Sequence, residues 1–154
     1  MLIAKPRHWF SWCFHILDEE GNLLTDISQH WFREQGEFSI GEYTFQLQRD
    51  SMWDGLFSLR ENDSVLVSAQ KTSMFLRSFE VQIGNTFYTL KAENAFTRKF
   101  VLRDQEGRYW GEVRPKHPFT RRSEISFSNE FPVAIRVFLF WLALILWRRA
   151  ENND

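Results

Sequence analysis

The sequence predicts a mainly β protein, an antiparallel sandwich or barrel that is followed by one very hydrophobic helix. Three observations favour this fold class. Turn signals recur about every ten residues before Ser128, a spacing that is typical of antiparallel β domains. Aromatic residues, which favour strands, make up 17 % of the chain. No long amphipathic helical pattern interrupts these signals, and the 154 residues fit a single domain, 1–154, with one core.

Five segments have the pattern of β-hairpins, because each contains two apolar or alternating runs around a turn. Two of them echo each other: "ILDEEGNLL" begins at Ile16, and "VLRDQEGRYW" begins at Val101. The other three are "GEFSIGEYTFQLQR", "FSLRENDSVLVSAQ" and "FEVQIGNTFYTLKA". The segment 29–36, "QHWFREQG", fits either a short helix or a loop.

The closing segment "FPVAIRVFLFWLALILWRR" predicts a helix over about Pro132 to Trp147. Only Arg136 interrupts an apolar surface on all sides, so the helix must be buried either in protein or in lipid. It would span roughly 24 Å, short of the ~30 Å core of a bilayer but close to the length of strands of about 7 to 9 residues. Arg136 is expected to pair with Glu130 or another carboxylate, or to extend its guanidinium to a membrane interface.

This order of elements resembles the tubby-like superfamily, which includes the tubby carboxyl-terminal domain, the phospholipid scramblases and the LURP-one-related proteins. The resemblance rests on the hairpins "ILDEEGNLL" and "VLRDQEGRYWGEV" and on the hydrophobic end, and it covers about residues 38–149. It implies a closed antiparallel β-barrel that surrounds the terminal helix as its core. Scramblases also carry a cysteine-rich palmitoylated segment and an acidic calcium-binding stretch. This chain has one cysteine, Cys13, and only Glu124 and Glu130 near the helix, so calcium-dependent scrambling is not expected.

Positive charge is concentrated in one part of a chain whose net charge is only -1. Residues 1–90 hold 7 Lys/Arg and 12 Asp/Glu, whereas residues 91–122 hold 9 and 4. If "RKFVLRDQEGRYWGEVR" is a hairpin, Phe100, Leu102, Tyr109 and Val113 face the core, and the cationic residues and Trp110 face outward. Guanidinium groups match phosphate oxygens, and an exposed Trp can enter the interfacial zone of a bilayer. The candidate phosphate- or lipid-binding residues are Arg98, Lys99, Arg103, Arg108, Trp110, Arg114, Lys116, Arg121 and Arg122.

Tubby domains are similar in that they bind phosphoinositide headgroups through a basic barrel surface. We therefore expect a monomeric, non-enzymatic module in the cytoplasm, peripheral at a membrane or anchored to it, with anionic phospholipid headgroups as ligand. The alternatives are a tail-anchored protein with a cytoplasmic β domain and an adaptor barrel that binds another protein. The basic residues could also form a solvated face whose charges are satisfied by water and by neighbouring carboxylates. Single-stranded nucleic acid is a less expected partner.

No residue pattern points to catalysis, a metal or a cofactor. The four histidines lack metalloprotease spacing, and Cys13 and His15 share a strand face without a third partner. The acidic turn "DEEGN" lacks the alternating oxygen ligands of a calcium loop. Neither a phosphate-cradling glycine loop nor a dinucleotide fingerprint is present. We therefore expect no catalytic residue, no metal and no cofactor, and we expect no secretory signal at the amino terminus.

Overall fold

The fold is a closed barrel of twelve antiparallel strands around one helix, as the computed structural model shows for residues 1–8, 11–51, 53–73, 77–94 and 96–152. Each strand pairs with its neighbours in the chain, and β1 closes the barrel by pairing with β12. The predicted fold class is confirmed. The strands are β1 Leu2–Pro6, β2 Phe14–Leu17, β3 Leu23–His30, β4 Gln35–Ile40, β5 Tyr43–Arg49, β6 Leu56–Glu61, β7 Ser64–Lys71, β8 Ser78–Ile83, β9 Thr86–Ala92, β10 Phe100–Asp104, β11 Tyr109–Pro115 and β12 Ser123–Ile125.

All five predicted hairpins are present as pairs of neighbouring strands. Three of them close through connections of two residues, and Gly41, Asn62 and Gly84 supply the positive φ that such tight turns need. The segment that fitted either a helix or a loop contains a short 3-10 helix, Trp31–Arg33, between β3 and β4. Alternation of apolar and polar residues along the strands places one side of each strand in the core.

The helix α1, Val133–Asn152, lies in the core of the barrel. It begins one residue after the predicted start and continues five residues beyond Trp147, because the polar end "RRAEN" remains helical. Twelve of its residues are buried, including every residue from Val137 to Trp147. Its apolar surface is therefore covered by protein, and a tail anchor would require α1 to leave this core. Among the described residues, no helix combines the length and the hydropathy that a membrane crossing requires.

Aromatic rings fill much of the space between α1 and the strands. Trp141 is fully buried, packs edge to face on Phe57 and donates its Nε1 hydrogen to Oε1 of Gln29 at 2.9 Å. Phe140 packs edge to face on Phe14 of β2 and contacts Trp147 about two turns later. Large rings bury much apolar area per residue, which explains why a barrel with one central helix needs such an aromatic composition.

Within the described ranges Arg136 has no carboxylate partner, contrary to the expectation that it pairs with Glu130 or another carboxylate. Its Nε donates to the carbonyl of Phe131 at 3.0 Å, and its Nη1 donates to Oδ1 of Asn129 at 3.2 Å. The chain that leads into α1 folds back over this side chain, so neutral oxygens satisfy the guanidinium. Partial burial lowers the pKa of Arg136 from its usual value.

The two ends of the barrel differ and are named after the helix termini. The N-end is where α1 begins and the C-end is where α1 finishes, next to Arg98 and Trp31, whose carbonyls accept hydrogen bonds from Trp147 and Arg148. Antiparallel strands alternate between the ends, so the connections do the same. The N-end has the connections 18–22, 41–42, 62–63, 84–85, 105–108 and 126–132, and the C-end has 7–13, 31–34, 50–55, 72–77, 93–99 and 116–122.

Candidate functional site

The nine predicted ligand-binding residues are spread along the barrel wall and do not form one cluster. They lie on β10, on β11 and in the connections beside them. Because β10 has five residues, its two ends are roughly 16 Å apart. Arg98, Lys99, Lys116, Arg121 and Arg122 are at the C-end, Arg103, Arg108 and Trp110 are near the N-end, and Arg114 is the next-to-last residue of β11, close to the C-end.

The β10–β11 hairpin forms as predicted, but its facing pattern changes at a β-bulge. Phe100, Leu102 and Val113 are fully buried, in agreement with the sequence analysis. Tyr109, which was predicted to face the core, is 52 % exposed. The register shifts between Leu102 and Arg103, so Tyr109 lies opposite the outward-facing Arg103. A bulge inserts one extra residue and therefore moves all residues beyond it to the other face.

Gly111 is the residue in β11 that makes this arrangement possible. It has a φ of +119°, and a Cβ at this position would lie 2.4 Å from the Cα of Phe127. The chain after β12 continues alongside β11 at this place, where the amides of Ser126 and Ser128 donate to the carbonyls of Glu112 and Trp110. A glycine inside a strand pattern is a known signal for a bulge or a close backbone approach, so the sequence held a sign of this feature.

Trp110 does not face the solvent, contrary to the prediction. Its ring is half-buried, packs edge to face on Tyr88 and lies 5.6 Å from the ring of Phe131. Its Nε1 donates to Oδ2 of Asp104 at 2.9 Å. As the extra residue of the bulge, Trp110 turns over the N-end and covers the core beside the start of α1, so its ring serves packing at this end.

Both candidate cations near the N-end have local partners, and those of Arg108 are carboxylates. Arg108 bonds Asp104 at 2.9 Å and Glu106 at 3.1 Å. Hydrogen bonds from Trp110 and from the backbone and side chain of Arg108 lower the pKa of Asp104 to about 2, so this carboxylate stays charged. Arg103 donates to the carbonyl of Gly107 and lies over the ring of Tyr109. This pattern agrees with the alternative of a solvated face satisfied by its own carboxylates.

Two more of the eight candidate cations have carboxylate partners. Arg114 bonds Glu124 of β12 at 3.2 Å, and Lys99 lies 3.2 Å from Glu93 and 3.5 Å from Glu112. The two carboxylates of Lys99 raise the pKa of its amino group, with the hydrogen bond to Glu93 as the largest cause. A phosphate ligand would have to displace these partners before it could bind these side chains.

At the C-end, Arg98 and Arg121 hold loops together. The guanidinium of Arg98 donates to the carbonyls of His117, Pro118 and Thr120 at 2.6 to 3.2 Å, and desolvation lowers its pKa. Arg121 bonds Glu151 at 2.9 Å and lies 3.9 Å above the centre of the Trp12 ring. Both side chains therefore shape the C-end around the last turn of α1.

Some cations at the C-end remain available. Lys116 is exposed, and within the described residues its amino group has no hydrogen bond or ion pair. Arg122 is half-buried, and its Nε has no hydrogen-bond partner among them. Arg7 and Arg33, which the sequence analysis did not select, are exposed at the same end, and neither side chain is paired within the part of the chain that the structure describes. Their distance in sequence from residues 98–122 explains why a search for local charge runs missed them.

The barrel is polarised in charge from one end to the other. The six C-end connections hold eight Lys/Arg and four Asp/Glu, whereas the six N-end connections hold one Arg and seven Asp/Glu. Charge counts over residues 1–90 and 91–122 do not reveal this separation of positive and negative charge. Each strand runs from one end of the barrel to the other, so every block of sequence contributes to both ends. The C-end cations are Arg7, Arg33, Arg77, Arg98, Lys99, Lys116, Arg121 and Arg122, and the N-end acids are Asp18, Glu19, Glu20, Glu42, Asp63, Glu106 and Glu130.

The histidine and cysteine residues do not gather into a site in the described ranges. His15 pairs with Asp26 across β2 and β3 on the half-exposed outer surface, and Cys13 is a half-buried free thiol. Among the described residues, no group of three His, Cys, Asp or Glu side chains could hold a metal ion.

The architecture is consistent with the tubby-like fold, a closed twelve-stranded antiparallel barrel with a helix in its core. Comparison of the chain with family models, with curated proteins and with solved structures finds no match.

Proposed function

We propose that this protein is a non-enzymatic, tubby-like binding module that associates with anionic phospholipid headgroups through the C-end of its barrel. The observation that carries the proposal is the charge polarity, with cations in excess at the C-end and acids in excess at the N-end. A protein with a net charge of -1 has little overall attraction for an anionic surface. A polarised barrel, however, is attracted by one end and repelled by the other, so it also binds in one orientation.

The chemistry of the C-end fits phosphate. Arginine forks match phosphate oxygens, and lysine supplies a mobile point charge. The exposed cations Arg7, Arg33 and Lys116 have no carboxylate partner among the described residues, so they can approach headgroups without first losing an ion pair. Arg103, Arg108 and Arg114 have local partners and are weaker candidates, although the sequence singled them out.

The test is binding to vesicles after charge reversal at three matched exposed positions. The variant R7E/R33E/K116E should lose about a hundredfold or more in affinity for phosphatidylserine vesicles, since each cation near an anionic surface contributes about 1 kcal/mol. The control R103E/R108E/R114E has the same change in net charge, but it reverses cations that already have local partners, so it should bind nearly as well as the natural protein. Flotation with vesicles gives the readout, and circular dichroism verifies the fold of both variants.

Two results would contradict this assignment. If both variants lose binding equally, net charge alone drives association and the C-end has no special part. If the unmodified protein fails to float with anionic vesicles at low salt, headgroup binding itself is wrong, and the adaptor alternative becomes the better function.

A further inference from the structure

Among the described residues, four large apolar side chains are almost completely exposed, and all four are at the C-end. Phe32 is 100 %, Trp53 94 %, Phe96 98 % and Phe119 96 % accessible to solvent. Each comes from a different connection, between β3 and β4, β5 and β6, β9 and β10, and β11 and β12. Aromatic side chains are usually buried, because their burial removes a large apolar area from water. Their exposure on four separate loops is therefore unusual for the surface of a water-soluble protein.

The opposite end of the barrel has a different kind of apolar exposure. Among the described residues, the other exposed large apolar side chains are between 37 % and 61 % accessible, and they lie close to N-end turns. These side chains lie partly against the barrel wall, whereas the four C-end rings project away from it. The exposed residues at the N-end are Met1, Leu23, Tyr43, Val65, Leu66 and Tyr109.

The arrangement of the four rings indicates a flat partner. Their connections are distributed around the circumference of a closed barrel, so the rings form a crown around the end of α1 and not one patch. A protein interface has a contiguous apolar centre within a polar rim, which four separated rings do not provide. The interfacial zone of a bilayer accepts separate aromatic side chains, and it is enriched in them in membrane proteins.

Cations accompany three of the four rings in the sequence. Arg33 follows Phe32 directly, Arg98 comes two residues after Phe96, and Arg121 comes two residues after Phe119. Trp53 differs, since it is followed by Asp54. In the connection between β1 and β2 the sequence has Trp9 and Phe10, which lie outside the described residues. Arg98 and Arg121 hold the loops that carry Phe96 and Phe119, whereas Arg33 is exposed beside Phe32. An exposed cation next to a ring suits a surface that offers acyl chains just beneath anionic headgroups.

We propose that the C-end inserts Phe32, Trp53, Phe96 and Phe119 into the interfacial zone of an anionic bilayer. The carboxyl-terminal end of α1 then points towards the membrane. This inference rests on the proposed headgroup binding and adds to it an apolar component and a fixed orientation. Electrostatic attraction brings the C-end to the surface, and ring insertion then holds it there when salt screens the charges.

The experiment compares two sets of three serine substitutions in the full chain. F32S/F96S/F119S removes three C-end rings, and L23S/Y43S/V65S removes three exposed apolar side chains near the N-end as the matched control. Binding to vesicles of phosphatidylcholine and phosphatidylserine should fall by tenfold or more for the C-end variant, because transfer of even one ring from water into an apolar layer changes partitioning by about tenfold. The control should bind like the unmodified protein.

Trp53 offers a direct readout of insertion. Vesicles with bromine atoms on the acyl chains should quench part of the tryptophan fluorescence of the natural protein, and W53F should remove that part. Since Trp53 is 94 % exposed, its replacement by Phe leaves the fold unchanged and tests only its own contact with lipid.

The outcomes separate the two proposals. Loss of binding in the C-end variant together with quenching that depends on Trp53 supports insertion. If the C-end variant binds as tightly as the natural protein and bromine does not quench Trp53, insertion is wrong while headgroup binding stands. If the natural protein binds no vesicles at all, both proposals fall, and a crown of rings of this kind would then have to contact a protein.

Discussion

Two aspartates, Asp18 and Asp104, build the same turn at two places in the barrel. In each turn Oδ1 accepts the amide hydrogens of the residues two and four positions later, at 2.9 to 3.0 Å. Gly21 and Gly107 occupy the same place, with φ values of +88° and +81°. The repeated pattern Asp-x-x-Gly in "DEEGN" and "DQEGR" therefore encodes one local structure, which is why the two hairpins could be recognised from the sequence.

The two turns differ at the second carboxylate oxygen, and this difference predicts a pH effect. Oδ2 of Asp104 accepts hydrogens from Trp110 and Arg108, whereas Oδ2 of Asp18 accepts one from the exposed side chain of Asn22. The pKa of Asp104 is lowered from 3.8 to about 2, first by the bond from Trp110. A lowered folded-state pKa stabilises the protein above the unfolded value, and this stabilisation is lost as the pH falls from 3.8 towards 2.

We expect Asp104→Asn to destabilise the protein at neutral pH and to flatten the decline in stability during acidification through this window. An amide nitrogen cannot accept the hydrogens of Trp110 and Arg108, while the amide oxygen can still cap the turn. Urea unfolding midpoints across acidic pH provide the measurement. Asp18→Asn is the matched control and should have a clearly smaller effect at every pH; equal effects would show that the Trp110 bond is unimportant.

At the scale of the elements, apolar periodicity predicted the hairpins and the central helix, but it could not predict where a strand changes face. Alternation is a local rule, whereas the bulge at Trp110 lies where the chain after β12 runs close beside β11. The partners of Arg136 were missed for a similar reason, because they belong to a bend just before α1. The helix itself was predictable because an apolar surface on all sides has few possible environments.

The bulge provides a second prediction, in which glycine substitutions separate backbone strain from steric collision. Gly111→Ala should destabilise the protein by roughly 3 kcal/mol or more, because it adds a collision with the backbone of Phe127 to an unfavourable positive φ. Gly84→Ala should cost only about 1 kcal/mol, since its φ is +60° but a Cβ there meets no atom within 4 Å.

Chemical denaturation of the two variants and the natural protein measures both free energies of unfolding. If the two alanine variants lose similar free energies of unfolding, the segment after β12 moves away from the new Cβ. The contact with Phe127 then does not constrain β11.

At the scale of the whole molecule, α1 supplies the centre of a core that the twelve strands share. The third prediction is that a chain ending at Asn129 does not fold. It lacks the twelve buried residues of the helix, and their loss exceeds the ~5–15 kcal/mol by which native proteins are stable. Gel filtration and circular dichroism should find it aggregated or unfolded beside a β-rich full-length monomer. A soluble and folded truncated barrel would contradict a core role for α1.

The candidate site was less predictable than the fold. Local charge counts correctly found that residues 91–122 are basic, but they could not show which cations have carboxylate partners across strands, as Arg114 has in Glu124. The charge polarity and the crown of rings arise from connections that are far apart in sequence. Such features become visible only once strand order assigns each connection to an end of the barrel.

The closing pair of strands has a consequence for how the molecule is made. Leu2 of β1 lies opposite Ile125 of β12, and the 20 residues of α1 follow all twelve strands. A growing chain can therefore form hairpins early, but it cannot close its sheet before β12 is made, and it cannot cover the inner faces of its strands before the helix that follows is made. During that interval an open sheet edge and an apolar concave face are accessible to other nascent chains.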